Sequence, residues 1–212
     1  MYEPPLHRED DLSRQHALIR ARPLGLLISS GPQGVVANAL PFLIDPAASK
    51  LGTLRVHMAR ANGQWRDLAE APEALVVFQG ADHYITPSWY ATKQETGKVV
   101  PTWDYVMVQA RGAARVIEDD AWLARQIEAL TNGQEARRDK PWAVGDAPRD
   151  FIALQRRAIV GIEIEITEIH GKWKTSQNRN AADRAGVVAG LEELGDEEAR
   201  DMAAIVRATG RG

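Results

Sequence analysis

The chain has 212 residues, 26 Lys and Arg against 29 Asp and Glu for a net charge of −3, 44% hydrophobic residues and no cysteine. That length suits one domain with additions, and the composition is that of a globular chain able to bury a core. The charge argues against a surface that holds nucleic acid by charge alone, and the missing thiols exclude disulfides, cysteine nucleophiles and cysteine-ligated zinc or iron–sulfur centres.

The opening MYEPPLHREDD is polar and acidic, unlike a secretory signal, and no apolar run approaches the ~20 residues of a membrane span. A cytoplasmic protein without a membrane partner is expected. Residues 9–21, EDDLSRQHALIRA, predict a short helix with acidic residues in its first turn, closed by Arg22-Pro23. LGLLISS (24–30) and VVANALPFLID (35–45) flank the turn GPQG and predict a β-hairpin. TLRVHMAR (53–60) alternates Leu54, Val56 and Met58 on one face, a third strand. ANGQWRDLAEA (61–71) reads as a loop entering a short helix. ALVVFQG (74–80) predicts a fourth strand and HYITPSWY (83–90) a fifth, ended by the loop ATKQETGK.

TWDYVMVQARGAARVIE (102–118) is a long strand in which Gly112 marks a bulge or bend. DDAWLARQIEALTNG (119–133) is amphipathic, with Trp122, Ile127 and Leu130 on one face, and a second helix is expected near 148–157. IVGIEIEITEI (159–169) sets Ile162, Ile164 and Ile166 inward against Glu163, Glu165 and Thr167. Two helices are expected over 181–209. Six or seven strands in hairpin order with helices at the start, middle and end suggest an antiparallel barrel or sandwich; a doubly wound fold needs regular strand–helix alternation that the first half lacks, so a barrel is expected, and no linker divides the chain.

No P-loop, G-x-G-x-x-G, H-E-x-x-H or G-x-S-x-G occurs, and nothing names a nucleophile–base pair. The five histidines (His7, His16, His57, His83, His170) lack ligand-like spacing, so neither a catalytic residue nor a protein metal site is assigned. Any chemistry is expected to come from an organic cofactor.

Three segments read as parts of a binding site. In VHMARANGQW (56–65), Arg60 and Asn62 follow a strand end and can offer guanidinium, amide and backbone N–H to a phosphate; alone, the segment reads sooner as a connecting loop with a surface Arg. In GKWKTSQNRN (171–180), strand alternation puts Lys172 and Lys174 on one face and Trp173 on the other. Two ammonium groups with Ser176, Gln177 and Asn178 suit a phosphate and a heterocycle edge, or else a solvated strand end. Lastly, of six Trp, four Tyr and three Phe in the chain, Tyr84, Trp89, Tyr90, Trp103 and Tyr105 fall within residues 80–105. Flat rings held by Pro87 and Pro101 suit a planar ligand, a partner subunit or a barrel cap.

These segments, with Met1-Tyr2-Glu3-Pro4, Ala37 to Pro41, His57 to Trp65, Tyr84 to Tyr90, Val100 to Tyr105 and Gly171 to Asn178 in order, resemble the PaiB-like family of FMN-binding negative transcriptional regulators. Gly63, Ala81-Asp82, Thr86, Asp104 and Gln109 depart from the family pattern, and Asp104 and Gln109 alter polar groups near the cofactor. The resemblance implies a mainly β protein, an antiparallel split β-barrel of the FMN-binding, pyridoxamine-phosphate-oxidase-like type. Residues 1–212 would form one domain, with 181–209 as a helical C-terminal extension. It also implies a homodimer with FMN at the subunit interface, and DNA or a regulatory protein as candidate further partner.

Carried over onto this sequence, Arg60 and Asn62 would stand on the phosphate side. Asn38, Ala39, Leu40 and Pro41 would supply backbone near the flavin ring. Thr102, Trp103 and Tyr105 would approach from the interface, and Lys172, Lys174, Ser176 and Gln177 would close the site. The alternatives are an FMN-dependent oxidoreductase and a haem-binding split barrel with His57, His83 or His170 as axial ligand.

Overall fold

The computed structural model describes residues 1–32 and 34–209. Gln33 of the expected hairpin turn lies outside the described residues. Eight strands are described: β1 (Arg8–Glu9), β2 (Leu24–Gly31), β3 (Gly34–Pro41), β4 (Leu43–Asp45), β5 (Thr53–Ala59), β6 (Glu73–Ile85), β7 (Thr102–Ile117) and β8 (Ile159–Lys174). The helices are α1 (Leu12–Ala21), α2 (Gln64–Glu70), α3 (Thr92–Thr96), α4 (Asp120–Glu135), α5 (Arg149–Arg157), α6 (Ala181–Leu194) and α7 (Glu197–Thr209). The strand order is β3-β2-β6-β7-β8-β5-β4, with β1 pairing to β8.

The chain divides into two compact units, each assembled from separate stretches. The first comprises Met1–Gln15, Gln79–Val108 and His170–Gly212; the second comprises His16–Phe78 and Gln109–Ile169. β6, β7 and β8 are each long enough to run from one into the other.

In the second unit, β2 and β3 form the expected hairpin, in register from Leu24↔Pro41 to Gly31↔Gly34. β5 pairs antiparallel with β8, Val56 opposite Ile162 and Leu54 opposite Ile164. All four of these side chains are fully buried, each contributing roughly 1.5–3 kcal/mol through removal from water. Phe42 and Phe78 meet edge to face at 5.6 Å within the same core.

β7 continues through Gly112. The role of that glycine is close approach: a Cβ there would fall 2.0 Å from the Glu165 carbonyl oxygen. On α4, Asp119 caps the first turn by accepting from Trp122 N at 2.7 Å, worth about 1 kcal/mol. The helix buries Leu123 and Gln126, while Trp122, Ile127 and Leu130 are half-buried. The Trp122 ring lies against Gly161, where any Cβ would clash.

In the first unit, α6 and α7 pack Val187, Leu191, Met202 and Val206 against Ala81, Ile85 and Tyr90. The two strands expected over 74–80 and 83–90 are corrected to one: β6 runs unbroken through Gly80-Ala81-Asp82 to Ile85. The buried positions change phase at that junction, from Ala74, Val76 and Phe78 to Ala81 and Ile85, and the glycine costs propensity without ending the strand. The chain then turns at Pro87–Trp89, and the expected loop after it contains the short helix α3. Among the described residues no helix is long and apolar enough to cross a membrane.

Candidate functional site

The anticipated site residues fall into two groups, one in each unit. In the first unit, β7 alternation turns Asp104 inward, 1% exposed, and leaves Trp103 outward, 54% exposed. The Trp103 ring meets Tyr84 at 6.1 Å, edge to face, and Tyr84 is also exposed. These two rings present flat apolar area at the surface. Tyr90, in contrast, is core, buried under the Arg179 guanidinium at 4.2 Å.

Lys172 and Lys174 both reach β7 from the end of β8. Lys172 Nζ lies 5.2 Å from the Tyr105 ring and 5.5 Å from the Tyr2 ring, and donates to the Tyr2 carbonyl at 3.1 Å. It is only 8% exposed and makes no ion pair among the described residues. Lys174 Nζ donates to Thr102 Oγ1 at 2.6 Å and to the Trp103 carbonyl, with Asp104 Oδ1 at 3.8 Å. Trp173 instead packs beneath Arg14 at 5.6 Å. The alternation expected on this strand is the one observed.

Ser176 and Gln177 are turned into the protein. Ser176 has φ 59°, a left-handed conformation unusual for a residue with a Cβ, and its Oγ donates to Asp104 Oδ2 at 2.6 Å. Gln177 Oε1 accepts from Thr175 N at 2.8 Å and lies 3.0 Å from His7 Nδ1, while its Nε2 donates to the Trp173 carbonyl. Both side chains therefore shape the turn that ends β8. Burial pushes the Asp104 carboxyl above its ordinary range, opposed by the Ser176 hydrogen bond and the Lys174 charge.

The second unit carries the other group. Gln64, 2% exposed, joins its members: Nε2 donates to the Leu27 carbonyl and to Ser29 Oγ, and Oε1 accepts from Asn38 Nδ2 at 2.9 Å. Asn62 Oδ1 accepts from Gln64 N at 3.1 Å, tightening the loop into α2. Asn38 to Pro41 lie on β3, last in the strand order, so one backbone edge there makes no ladder among the described residues.

Arg60 is engaged on every side. It donates to the Arg157 and Ile159 carbonyls at 3.2 Å, pairs with Glu118 at 2.5 Å, and lies over the Trp65 ring. Glu118 is the one charged acceptor in that set, and it is exposed. His57 on β5 is half-buried with Nδ1 unpartnered, and burial lowers its pKa.

Sequence reasoning missed Tyr2 as the cover of Lys172, Gln64 as the joint of the second group, and Glu118 as the partner of Arg60. Tyr2 and Gln64 did stand inside quoted motifs. Glu118 carried no signal, because its pairing depends on the turn between β7 and α4.

The architecture, an antiparallel sheet with a β-hairpin edge and peripheral helices, is that of the flavin-type split barrels. A solved FAD- and haem-binding protein from Mycobacterium smegmatis shares it at TM-score 0.60, covering 87% of this chain and 80% of its own at 18% identity. The chain belongs to the family described as "Putative FMN-binding domain", whose model matches residues 1–168. An uncharacterized protein of Emericella nidulans is 37% identical over 99% of this chain and 98% of its own length. Protease synthase and sporulation protein PAI 2 of Bacillus subtilis is 33% identical over 97% and 96% respectively.

FMN is the cofactor that membership implies, and the residues present fit it. A buried ammonium without an ion pair is a charge that a phosphate neutralises, and exposed rings suit a planar heterocycle.

Proposed function

We propose that the chain binds FMN as a homodimer, with the cofactor between subunits, and that it acts as a flavin-linked regulator. The observation that carries this reading is Lys172: a nearly buried cation, held by a carbonyl and two rings, with no ion pair among the described residues. In low dielectric such a charge is costly unless a ligand supplies the counter-charge. Trp103 and Tyr84 add an exposed aromatic face that a second subunit and a flavin ring would both cover. Lys172, Lys174 and Tyr105 of the first group would hold the cofactor, and Arg60 with Asn62 are proposed as phosphate contacts.

When bound, FMN supplies electron and hydride acceptance; the protein's part is to hold and orient it. The resemblance to regulators of sporulation and protease production, together with the likeness to PAI 2, supports the regulatory reading.

A second reading, an FMN-dependent oxidoreductase, is favoured by Asp104. Its carboxyl is pushed upward by burial, and a carboxyl so placed can hold a proton. The visible spectrum of the purified protein tests the cofactor, and turnover of a reduced nicotinamide by the loaded protein separates the readings. Bound flavin without turnover is expected. A colourless protein that takes up no added FMN would remove both readings.

A further inference from the structure

Within the second unit, α4 overhangs a cleft of about 680 Å³ that shares no residue with the anticipated flavin contacts. Leu43, Ile44 and Pro46, with Trp122 and Ala129 of α4, give it an apolar lining. Its charged lining is Arg55, Arg115 and Arg125 with Asp45 and Glu163.

Most of that charge is internally balanced. Glu163 accepts from Arg115 at 2.6 Å and from Arg55 at 3.1 Å, and Arg55 also meets Asp45 at 3.2 Å. Burial alone would raise the Glu163 pKa, but the hydrogen bonds and charges of Arg115 and Arg55 outweigh it and keep the carboxyl ionised. Two arginines thus answer two carboxylates. Arg125 is left over: it lines the cleft, is exposed, and has no partner among the described residues. Beside it Gln126 is 3% exposed and also lines the cleft, and its Nε2 finds no acceptor. A buried amide with an unmet donor is rare in a finished interior, and a half-turn of that amide exchanges its oxygen and nitrogen at the cleft wall.

We propose that this cleft binds a small organic monocarboxylate with an apolar body, its acid group held by the Arg125 guanidinium and the Gln126 amide. One surplus positive charge matches one negative charge. A phosphate dianion would leave excess negative charge beside Glu163 and Asp45. The volume is in the range of small-molecule sites, ~300–1,000 Å³, and the lining is apolar with a few polar groups, as in such sites. Arg125 offers the fork geometry that a carboxylate accepts.

Isothermal titration of the full chain with 2-naphthoate, and with 2-naphthamide as its neutral counterpart, tests the site. The acid should bind saturably, one per chain, and more tightly than the amide. Arg125→Met should weaken the acid by about tenfold to a hundredfold, the loss of one charge-assisted contact, and leave the amide unchanged. Arg125→Lys should recover part of the loss. Because Arg125 is exposed, neither substitution disturbs the core, and FMN affinity should be the same in all three proteins. Equal binding of acid and amide, no effect of Arg125→Met, no saturable binding up to the solubility limit, or displacement of the acid by FMN would each overturn the proposal.

Discussion

Ser176 Oγ donates a 2.6 Å hydrogen bond to Asp104, tying the turn after β8 to a carboxyl that is 1% exposed. Burial is the largest influence on that carboxyl and raises its folded-state pKa above the ordinary 3.8, against the opposing Ser176 bond and Lys174 charge. A group raised on folding contributes its stability in full below the unfolded pKa and loses it as pH rises through the folded one. Asparagine at 104 can still accept from Ser176 but does not titrate. Asp104→Asn is therefore expected to gain stability over the wild type as pH rises above 3.8, levelling off beyond the folded pKa. Urea denaturation across acid to neutral pH measures the difference, and a difference independent of pH would count against this account.

Lys172→Met should weaken FMN by about tenfold to a hundredfold and riboflavin far less, since riboflavin lacks the phosphate. Arg60→Ala should discriminate in the same direction. Glu118 now occupies the Arg60 guanidinium, so Glu118→Gln should strengthen FMN a few-fold and leave riboflavin unchanged. Fluorescence titrations of all three variants decide the matter. Parallel losses for both ligands would mean that these cations support the fold rather than hold the phosphate.

Trp103 and Tyr84 lie exposed edge to face, and the proposed dimer would cover them. Obligate interfaces commonly bury more than ~2,000 Å², and exposed aromatic anchors dominate such energetics. Trp103→Ser should weaken self-association by at least ~2 kcal/mol while leaving far-ultraviolet dichroism unchanged. Sedimentation velocity is the measurement. A wild-type chain that runs at 23.4 kDa at micromolar concentration contradicts the shared-site reading.

Sequence-specific DNA binding by the isolated chain is expected to be weak. The net charge is −3, and specific complexes need several phosphate contacts from clustered Lys and Arg. A labelled fragment from the gene's own upstream region, titrated against a scrambled control at ~150 mM salt, should show less than the roughly thousandfold preference of specific binders. A larger preference would mean that the regulatory action is direct.

Gly186 and Gly190 of α6 accommodate Trp89. A Cβ at 186 would fall 1.9 Å from the Trp89 carbonyl oxygen, a backbone atom that cannot swing aside. Gly186→Ala should cost about 1–3 kcal/mol by overpacking, despite alanine's better helix propensity. A rise in the urea midpoint would show that the contact relaxes freely.

The strand pattern of β5 and β8 could be read from the sequence because each buries one apolar face and sets polar residues on the other, so Leu54–Val56–Met58 and Ile162–Ile164–Ile166 carry a period of two. β6 was harder. Gly80-Ala81-Asp82 looks like punctuation, yet the strand continues, since one poor strand former does not outweigh ordered neighbours. The packing of α4 had no sequence signal for a related reason: Gly161, on β8, gives the Trp122 ring its place. The site was legible as chemistry but not as partnership. The sequence shows Lys172, Arg60 and Asp104, while the contacts of Tyr2, Glu118 and Ser176 with them arise only when distant segments meet.

The strand β1 has a consequence for synthesis. Arg8 and Glu9 pair with Lys172 and Gly171 of β8, so an element made near the start must wait for one made roughly 160 residues later. At ribosomal rates of about 5–20 residues per second, that delay is on the order of ten to thirty seconds. The stretch Met1–Gln15 has no complete unit to join in that interval, whereas His16–Phe78 can already gather its own hairpin and β5. The second unit is therefore expected to gain order first on the ribosome, with the residues around Lys172 completed last.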